Sequence, residues 1–194
     1  GFSRGNSVSL TLNAFIQWKL ENNLRKAYQE SRAAYAAAII MDTRNGEILA
    51  MASLPDFDPN QGAAFSELSR INRTIATIYE PGSTFKMFSL AALSEQNLLD
   101  EETVYFCPGY FEYKGIRTGC PGNHGRLNLS RVMKKSCNAG VITATWNLPV
   151  LEFYRTLASL GFGKRTGITL PAEEKGILKN PSEWDIHLKM SIPI

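Results

Sequence analysis

Two apolar runs, Ala36–Met41 and Ile48–Ala52, flank the polar stretch Asp42-Thr43-Arg44-Asn45-Gly46-Glu47, and no other feature of the sequence restricts the fold as strongly. Each run is short for a helix and partly β-branched. Asn-Gly supplies the positive φ angles of a tight hairpin turn, so the pair predicts two antiparallel strands. Apolar residues at successive positions further predict a sheet covered on both faces. One cover is close at hand. Leu12, Phe15, Ile16, Leu20, Leu24, Ala27 and Tyr28 recur mostly three or four apart, with Asn13 placed as an N-cap, which predicts an amphipathic helix over 12–32.

The rest of the chain divides at its breakers. Residues 1–10 are small and polar and read as a linker or the tail of a preceding domain, Leu54–Asn60 as a loop, and Gln61–Ile78 as a polar mixture with room for a short helix. Glu80-Pro81-Gly82 interrupts the chain, and Phe85, Phe88, Leu90, Ala91 and Leu93 then follow at helical spacing, so a helix is predicted to start near Ser83. Residues 97–128 are rich in turns and aromatics. Helices are predicted over Leu129–Lys135 and Gly140–Trp146 around a break at Ser136-Cys137-Asn138, and another opens at Pro149 and closes at Gly161.

Whole classes of function drop out on composition. The net charge of +3 comes from 21 basic and 18 acidic residues scattered along the chain, which leaves no basic stripe for nucleic acid. With 2 histidines and 3 cysteines there is no C-x-x-C pair and no H-E-x-x-H, so no metal site is expected. No apolar run approaches the ~20 residues that span a bilayer. The N-terminus lacks a signal-peptide pattern, so an extracytoplasmic protein would carry its targeting segment upstream of Gly1.

Chemistry is offered at two places. Ser83-Thr84-Phe85-Lys86 sets a hydroxyl and an amine three residues apart, on one helix face. A serine alcohol is a weak nucleophile, and a lysine activates it only where burial or a neighbouring cation keeps the amine partly neutral. A helix N-terminus adds backbone N–H groups where an oxyanion would form. Taken alone, the pair is also what a plain helix start with a solvated lysine looks like. The second place is Ser136-Cys137-Asn138, whose serine could relay a proton and whose amide could hold a substrate, or which could simply cap the next helix.

Together, and with their flanks, these motifs resemble one family. Glu80-Pro81-Gly82-Ser83-Thr84-Phe85-Lys86 is similar to the nucleophile segment of the penicillin-binding protein transpeptidases, and Ser136-Cys137-Asn138 to their S-x-N motif. The hairpin Met41–Ser53, Pro55–Asn60, Asn72-Arg73, His124-Gly125, Leu160-Gly161-Phe162-Gly163 and Pro181-Ser182-Glu183-Trp184 resemble the class B branch, so that the likeness covers residues 10–192. The resemblance implies an α+β fold, the penicillin-binding/serine β-lactamase-like transpeptidase fold, with helices packed on an antiparallel sheet. It implies a D,D-transpeptidase that cross-links peptidoglycan and is acylated by β-lactams, without a cofactor. Ser83 would attack the penultimate D-alanine carbonyl of a stem peptide ending in D-Ala-D-Ala. Lys86 would be the general base, Ser136 would shuttle protons to the leaving amine, and Asn138 would hold the substrate amide. The implied location is the extracytoplasmic face of the bacterial membrane, anchored by a segment upstream, with divisome or elongasome proteins as partners.

The departures are as informative. The family's third motif, K-[ST]-G, does not occur, and Arg117-Thr118-Gly119 and Arg165-Thr166-Gly167 read as ordinary turns. Residues 11–194 are therefore expected to be the N-terminal part of a transpeptidase domain whose C-terminal strands are missing from this chain. Two rivals stay open: a serine β-lactamase or β-lactam sensor, though the class with Ser-Thr-Phe-Lys usually has valine or isoleucine where Asn138 stands, and a non-catalytic cell-wall scaffold. Cys107 and Cys120 are candidates for a disulfide in an oxidising compartment, or else two small buried apolar residues, while Cys137 is expected to be a reduced packing residue.

Overall fold

The computed structural model describes residues 5–61, 66–100 and 102–194, and these form two compact units. The first holds the described residues up to Thr77 together with Leu170–Glu174, and the second holds Ile78–Thr169 and Lys175–Ile194.

In the first unit, helix α1 (Ala14–Ser31) begins where the Asn13 side chain accepts hydrogen bonds from the Phe15 and Ile16 N–H groups, 3.0 and 3.1 Å away. It stops at Arg32, which adopts a left-handed φ of 51°. Ile16, Leu20, Leu24 and Tyr28, each four residues on, form its half-buried stripe. Strands β1 (Ala36–Met41) and β2 (Ile48–Leu54) pair antiparallel, as the two apolar runs predict. Their turn is wider than the Asn-Gly signal suggests. Only Gly46 takes a positive φ, 77°, and the Gly46 N–H closes on the Asp42 carbonyl at 2.8 Å.

Helix α1 does more than cover the sheet. The Gln17 amide both donates to the Met51 carbonyl and accepts from the Met51 N–H, each at 2.8 Å, while Asn13 N–H reaches the Leu49 carbonyl and Thr11 Oγ1 the Ile48 carbonyl. The free edge of β2 is thus satisfied by a helix and the segment before it rather than by a third strand. Burial on both faces is found only in part. Ala50, Ala52 and Leu54 of β2 are buried, whereas Ile39, Ile40 and Met41 of β1 are 43%, 37% and 53% exposed among the described residues. A short helix α2 (Arg73–Ala76) completes this unit, capped by Asn72.

The second unit carries the motifs. A 3₁₀ turn, Gly82–Phe85, runs into α3 (Lys86–Glu95), so the predicted helix start falls at Ser83 as a tighter first turn. Residues 97–128, expected only as turns, hold four short strands: β3 (Tyr105–Cys107) pairs with β6 (Gly125–Leu127), and β4 (Tyr110–Tyr113) with β5 (Ile116–Gly119). The β4–β5 hairpin turns on Lys114 and Gly115, with φ of 48° and 79°, the conformation of a two-residue primed turn. Arg117-Thr118-Gly119 is therefore a strand, not a turn: Ile116 and Thr118 are half-buried and Arg117 is exposed, the period of two that a pleat imposes.

Helices α4 (Leu129–Lys134), α5 (Asn138–Thr145) and α6 (Val150–Ser159) follow with breaks close to those predicted, and α7 (Ile186–Ser191) lies near the end. One core cluster joins Tyr105, Cys107 and Leu127 to Val132, Cys137, Ala139 and Val141; the other joins Phe85, Ala92 and Leu93 of the first motif's surroundings to Leu148, Phe153 and Leu157. The rings of Phe85, Phe88 and Phe162 meet edge-on or tilted at centroid distances of 4.9 to 5.5 Å. No helix among the described residues is long and apolar enough to cross a membrane.

The contact between α4 and α5 yields a stability prediction. A Cβ built on Gly140 would lie 2.5 and 2.8 Å from the two methyl carbons of Val132, a fully buried and stiff β-branched side chain. Overpacking of this kind costs ~1–3 kcal/mol, against which the helix gains ~1 kcal/mol from replacing glycine. Gly140→Ala is therefore expected to lower Tm, with a net loss on the order of 1–2 kcal/mol in denaturant titration. A variant as stable as the parent would mean that the two helices separate at no cost.

Candidate active site

Three sequence-selected residues converge in the second unit on the amine of a fourth. Lys86, the first residue of α3, is 1% exposed although it carries a charged side chain by default. Its Nζ lies 3.1 Å from Ser83 Oγ, 2.9 Å from Ser136 Oγ, 2.8 Å from the Ser136 carbonyl oxygen and 2.6 Å from Asn138 Oδ1. The first contact follows from helical spacing. The other three come from residues 50 and 52 positions away, brought in where the chain breaks between α4 and α5.

These partners are oxygens of neutral groups, and no carboxylate pairs with the amine among the described residues. Burial lowers the Lys86 pKa from its ordinary 10.5, and the nearby Cys120 and Cys137 oppose that shift only in part. An ammonium has three protons for four neighbouring oxygens. A neutral amine has two protons and a lone pair, and could accept a proton from either serine hydroxyl. Ser83 itself is exposed, so its oxygen meets solvent on one side and the amine on the other. The arrangement supplies an accessible alcohol, a desolvated base and a second hydroxyl on the far side of that base.

The turn that supplies Ser136 is strained. Ser136 has φ of 50°, a left-handed conformation that costs a non-glycine residue on the order of 1–3 kcal/mol. That conformation lets one residue present both its hydroxyl and its carbonyl to Lys86. The helix cap expected from serine or asparagine is supplied instead by Cys137, whose sulfur accepts from the Gly140 N–H at 3.3 Å. Asn138 opens α5, and its side chain bridges two partners, with Oδ1 on Lys86 and Nδ2 donating to the Gly119 carbonyl at 2.9 Å. In this state its amide orients the base.

Of the two readings open for Cys107 and Cys120, the structure shows free thiols, and Cys137 is the reduced, buried residue expected. Cys107, Cys120 and Cys137 are all free, so the Cys107–Cys120 disulfide is not formed. Nor does the absence of metal-type spacing keep side chains that could hold a metal apart. The sulfurs of all three cysteines and a ring nitrogen of His124 lie within 4.8 Å of one another. His124 was legible only as part of a family-like His-Gly pair, and the intervals of 13, 4 and 13 positions carry no familiar signature.

A family model described as the penicillin binding protein transpeptidase domain matches residues 36–192. Stage V sporulation protein D of Bacillus subtilis is 36% identical over 179 residues, covering 90% of this chain and 28% of that protein. Peptidoglycan D,D-transpeptidase FtsI of Buchnera aphidicola is 29% identical over 176 residues, covering 91% of this chain and 31% of that protein. The crystal structure of penicillin-binding protein 3 from Mycobacterium tuberculosis superposes with a TM-score of 0.84 at 28% identity, over the whole of this chain and 45% of that one. The chain thus spans about a third or less of these curated relatives.

Proposed function

Because the chain belongs to the penicillin-binding protein transpeptidase family, we propose that it is the nucleophile-bearing part of a serine D,D-transpeptidase that cross-links peptidoglycan and is acylated by β-lactams. The observation that carries this reading is the buried Lys86 amine set between the hydroxyls of Ser83 and Ser136.

Lys86 takes the Ser83 proton as the serine oxygen attacks the carbonyl of the penultimate D-alanine of a stem peptide ending in D-Ala-D-Ala. The tetrahedral intermediate collapses to an ester on Ser83. Ser136, hydrogen-bonded to the same amine, passes a proton to the departing D-alanine nitrogen. An amine of a neighbouring strand then attacks the ester, and the same groups work in reverse to restore Ser83. Asn138 keeps the amine in place and retains an N–H for a substrate carbonyl. A β-lactam enters by the same first step, but its leaving nitrogen stays tethered. The protein works at the outer face of the membrane, anchored through a part of its length outside these residues, with division or elongation proteins as partners. Strands from that remaining length would pair along β1, whose strand partner among the described residues is β2 alone, and bring the K-[ST]-G motif.

The intact mass of the full-length protein after exposure to benzylpenicillin tests the assignment. Acylation retains every atom of the drug, so the expected product is the protein plus one penicillin, persisting for many minutes after dilution. Rapid disappearance of the adduct with turnover of a chromogenic cephalosporin would make the protein a β-lactamase instead. No adduct at all would favour the scaffold.

A further inference from the structure

The second unit brings three thiols and an imidazole to one point. Cys107 ends β3, Cys120 follows β5, His124 precedes β6, and Cys137 caps α5. Cys120 Sγ lies 3.6 Å and Cys107 Sγ 3.7 Å from His124 Nδ1, and Cys120 Sγ lies 3.7 Å from Cys137 Sγ. All four ligand atoms fall within 4.8 Å of one another. Zinc bonds of about 2.3 Å to sulfur and 2.0–2.1 Å to nitrogen, set at tetrahedral angles, require ligand edges of about 3.8 Å between sulfurs and 3.6 Å between sulfur and nitrogen. The three edges given above, 3.6, 3.7 and 3.7 Å, match those lengths. They do not match a disulfide, whose sulfurs stand about 2.0 Å apart.

We propose that Cys107, Cys120, His124 and Cys137 form a structural zinc site. Three thiolates and one imidazole are a soft donor set that suits zinc over magnesium or calcium. Four protein ligands close the tetrahedron and leave no position for water, so the site is structural rather than catalytic. Cys107 and Cys137 are 0% exposed, which shields the centre from exchange and oxidation. Binding of Zn²⁺ by the three thiols releases three protons to solvent, and the thiolate–zinc centre carries one net negative charge.

The position of the site gives it a purpose. Cys137 stands between Ser136 and Asn138, two of the three residues that contact Lys86 Nζ, and Cys120 follows Gly119, whose carbonyl takes the Asn138 amide. A metal on the three sulfurs and the His124 ring ties β3, β5 and β6 to the strained turn that presents Ser136. It acts as a positioning device for the base, one shell removed from the reacting atoms.

The test is elemental analysis of the full-length protein, purified with a non-chelating reductant and no added metal. The expected result is one zinc per chain, released in step with titration of three thiols by a mercurial. Cobalt substituted for zinc should show a thiolate-to-metal charge-transfer band and the intense visible bands of tetrahedral coordination. Because Cys137 lies in the core, its serine variant risks misfolding, and the half-buried Cys120→Ser and His124→Asn variants carry the mutational arm. Each should hold zinc at least about 10–100-fold more weakly against a competing chelator, the loss that even outer-shell partners produce. Native protein with no metal above background, or with any two of its cysteines joined in a disulfide, overturns the site. Metal content is read without a β-lactam, so its failure is distinct from failure of the transpeptidase reading.

Discussion

Replacing Ser83 with alanine is expected to abolish covalent labelling by a fluorescent penicillin while leaving the fold intact. Ser83 is exposed in the 3₁₀ turn at the head of α3, so the loss of its hydroxyl opens no cavity in the core. What disappears is the oxygen of an exposed residue that lies 3.1 Å from the buried amine. A nucleophile and its base act as one unit, and removal of a serine nucleophile costs on the order of 10⁶-fold in rate in enzymes of this logic. Ser136, the other hydroxyl on Lys86, does not substitute, because it is half-buried and held in a left-handed turn. The measurement is gel fluorescence after a chase long enough to detect slow acylation, beside a thermal melt. Labelling that persists in a folded Ser83→Ala protein would remove Ser83 from the mechanism and leave the site without its attacking group.

Much of this arrangement is local, and local features are what a sequence displays. Asn13 as a cap and the Ile16, Leu20, Leu24, Tyr28 stripe specify α1 through short-range hydrogen bonding and period, and the two apolar runs specify β1 and β2. The Ser83–Lys86 contact is of the same kind, one helical turn. Other features depend on distant packing. The fourfold convergence on Lys86 needs Ser136 and Asn138, and no spacing rule links them to residue 86; only the family resemblance anticipated it. The primed turn fell on Lys114-Gly115, where β4 and β5 are too short to show a clear period, while the stronger Asn45-Gly46 signal closed a wider loop. The cysteine–histidine cluster was the least legible. Its four side chains come from three places, the end of β3, the β5–β6 connection and the turn before α5, which meet only once β3 has paired with β6 and α5 has packed against β3.

Lys86→Ala is expected to slow acylation by ~10²–10⁴-fold, the usual contribution of a positioned general base. The stronger discrimination comes from Lys86→Arg and from pH. Arginine keeps a positive charge and hydrogen-bond donors but does not deprotonate in a protein, so it cannot take the Ser83 proton. If the residue served only to neutralise or anchor Ser136 and Asn138, arginine would retain much of the activity; as a base it should be about as damaging as alanine. The pH dependence has a definite sign. Burial disfavours the ammonium and lowers the Lys86 pKa below 10.5. The reactive species is the neutral amine, whose fraction grows with pH until it saturates above the folded-state pKa. The rate of penicillin acylation should therefore rise with pH along a limb that lies below that of an ordinary lysine and then level off, and the Lys86→Ala protein should lose that limb. A flat profile in the parent, or an unchanged limb in the alanine variant, would transfer the base role to another group. Both variants remove the amine that Ser136 and Asn138 surround, so their folding is checked by thermal melt before any rate is compared.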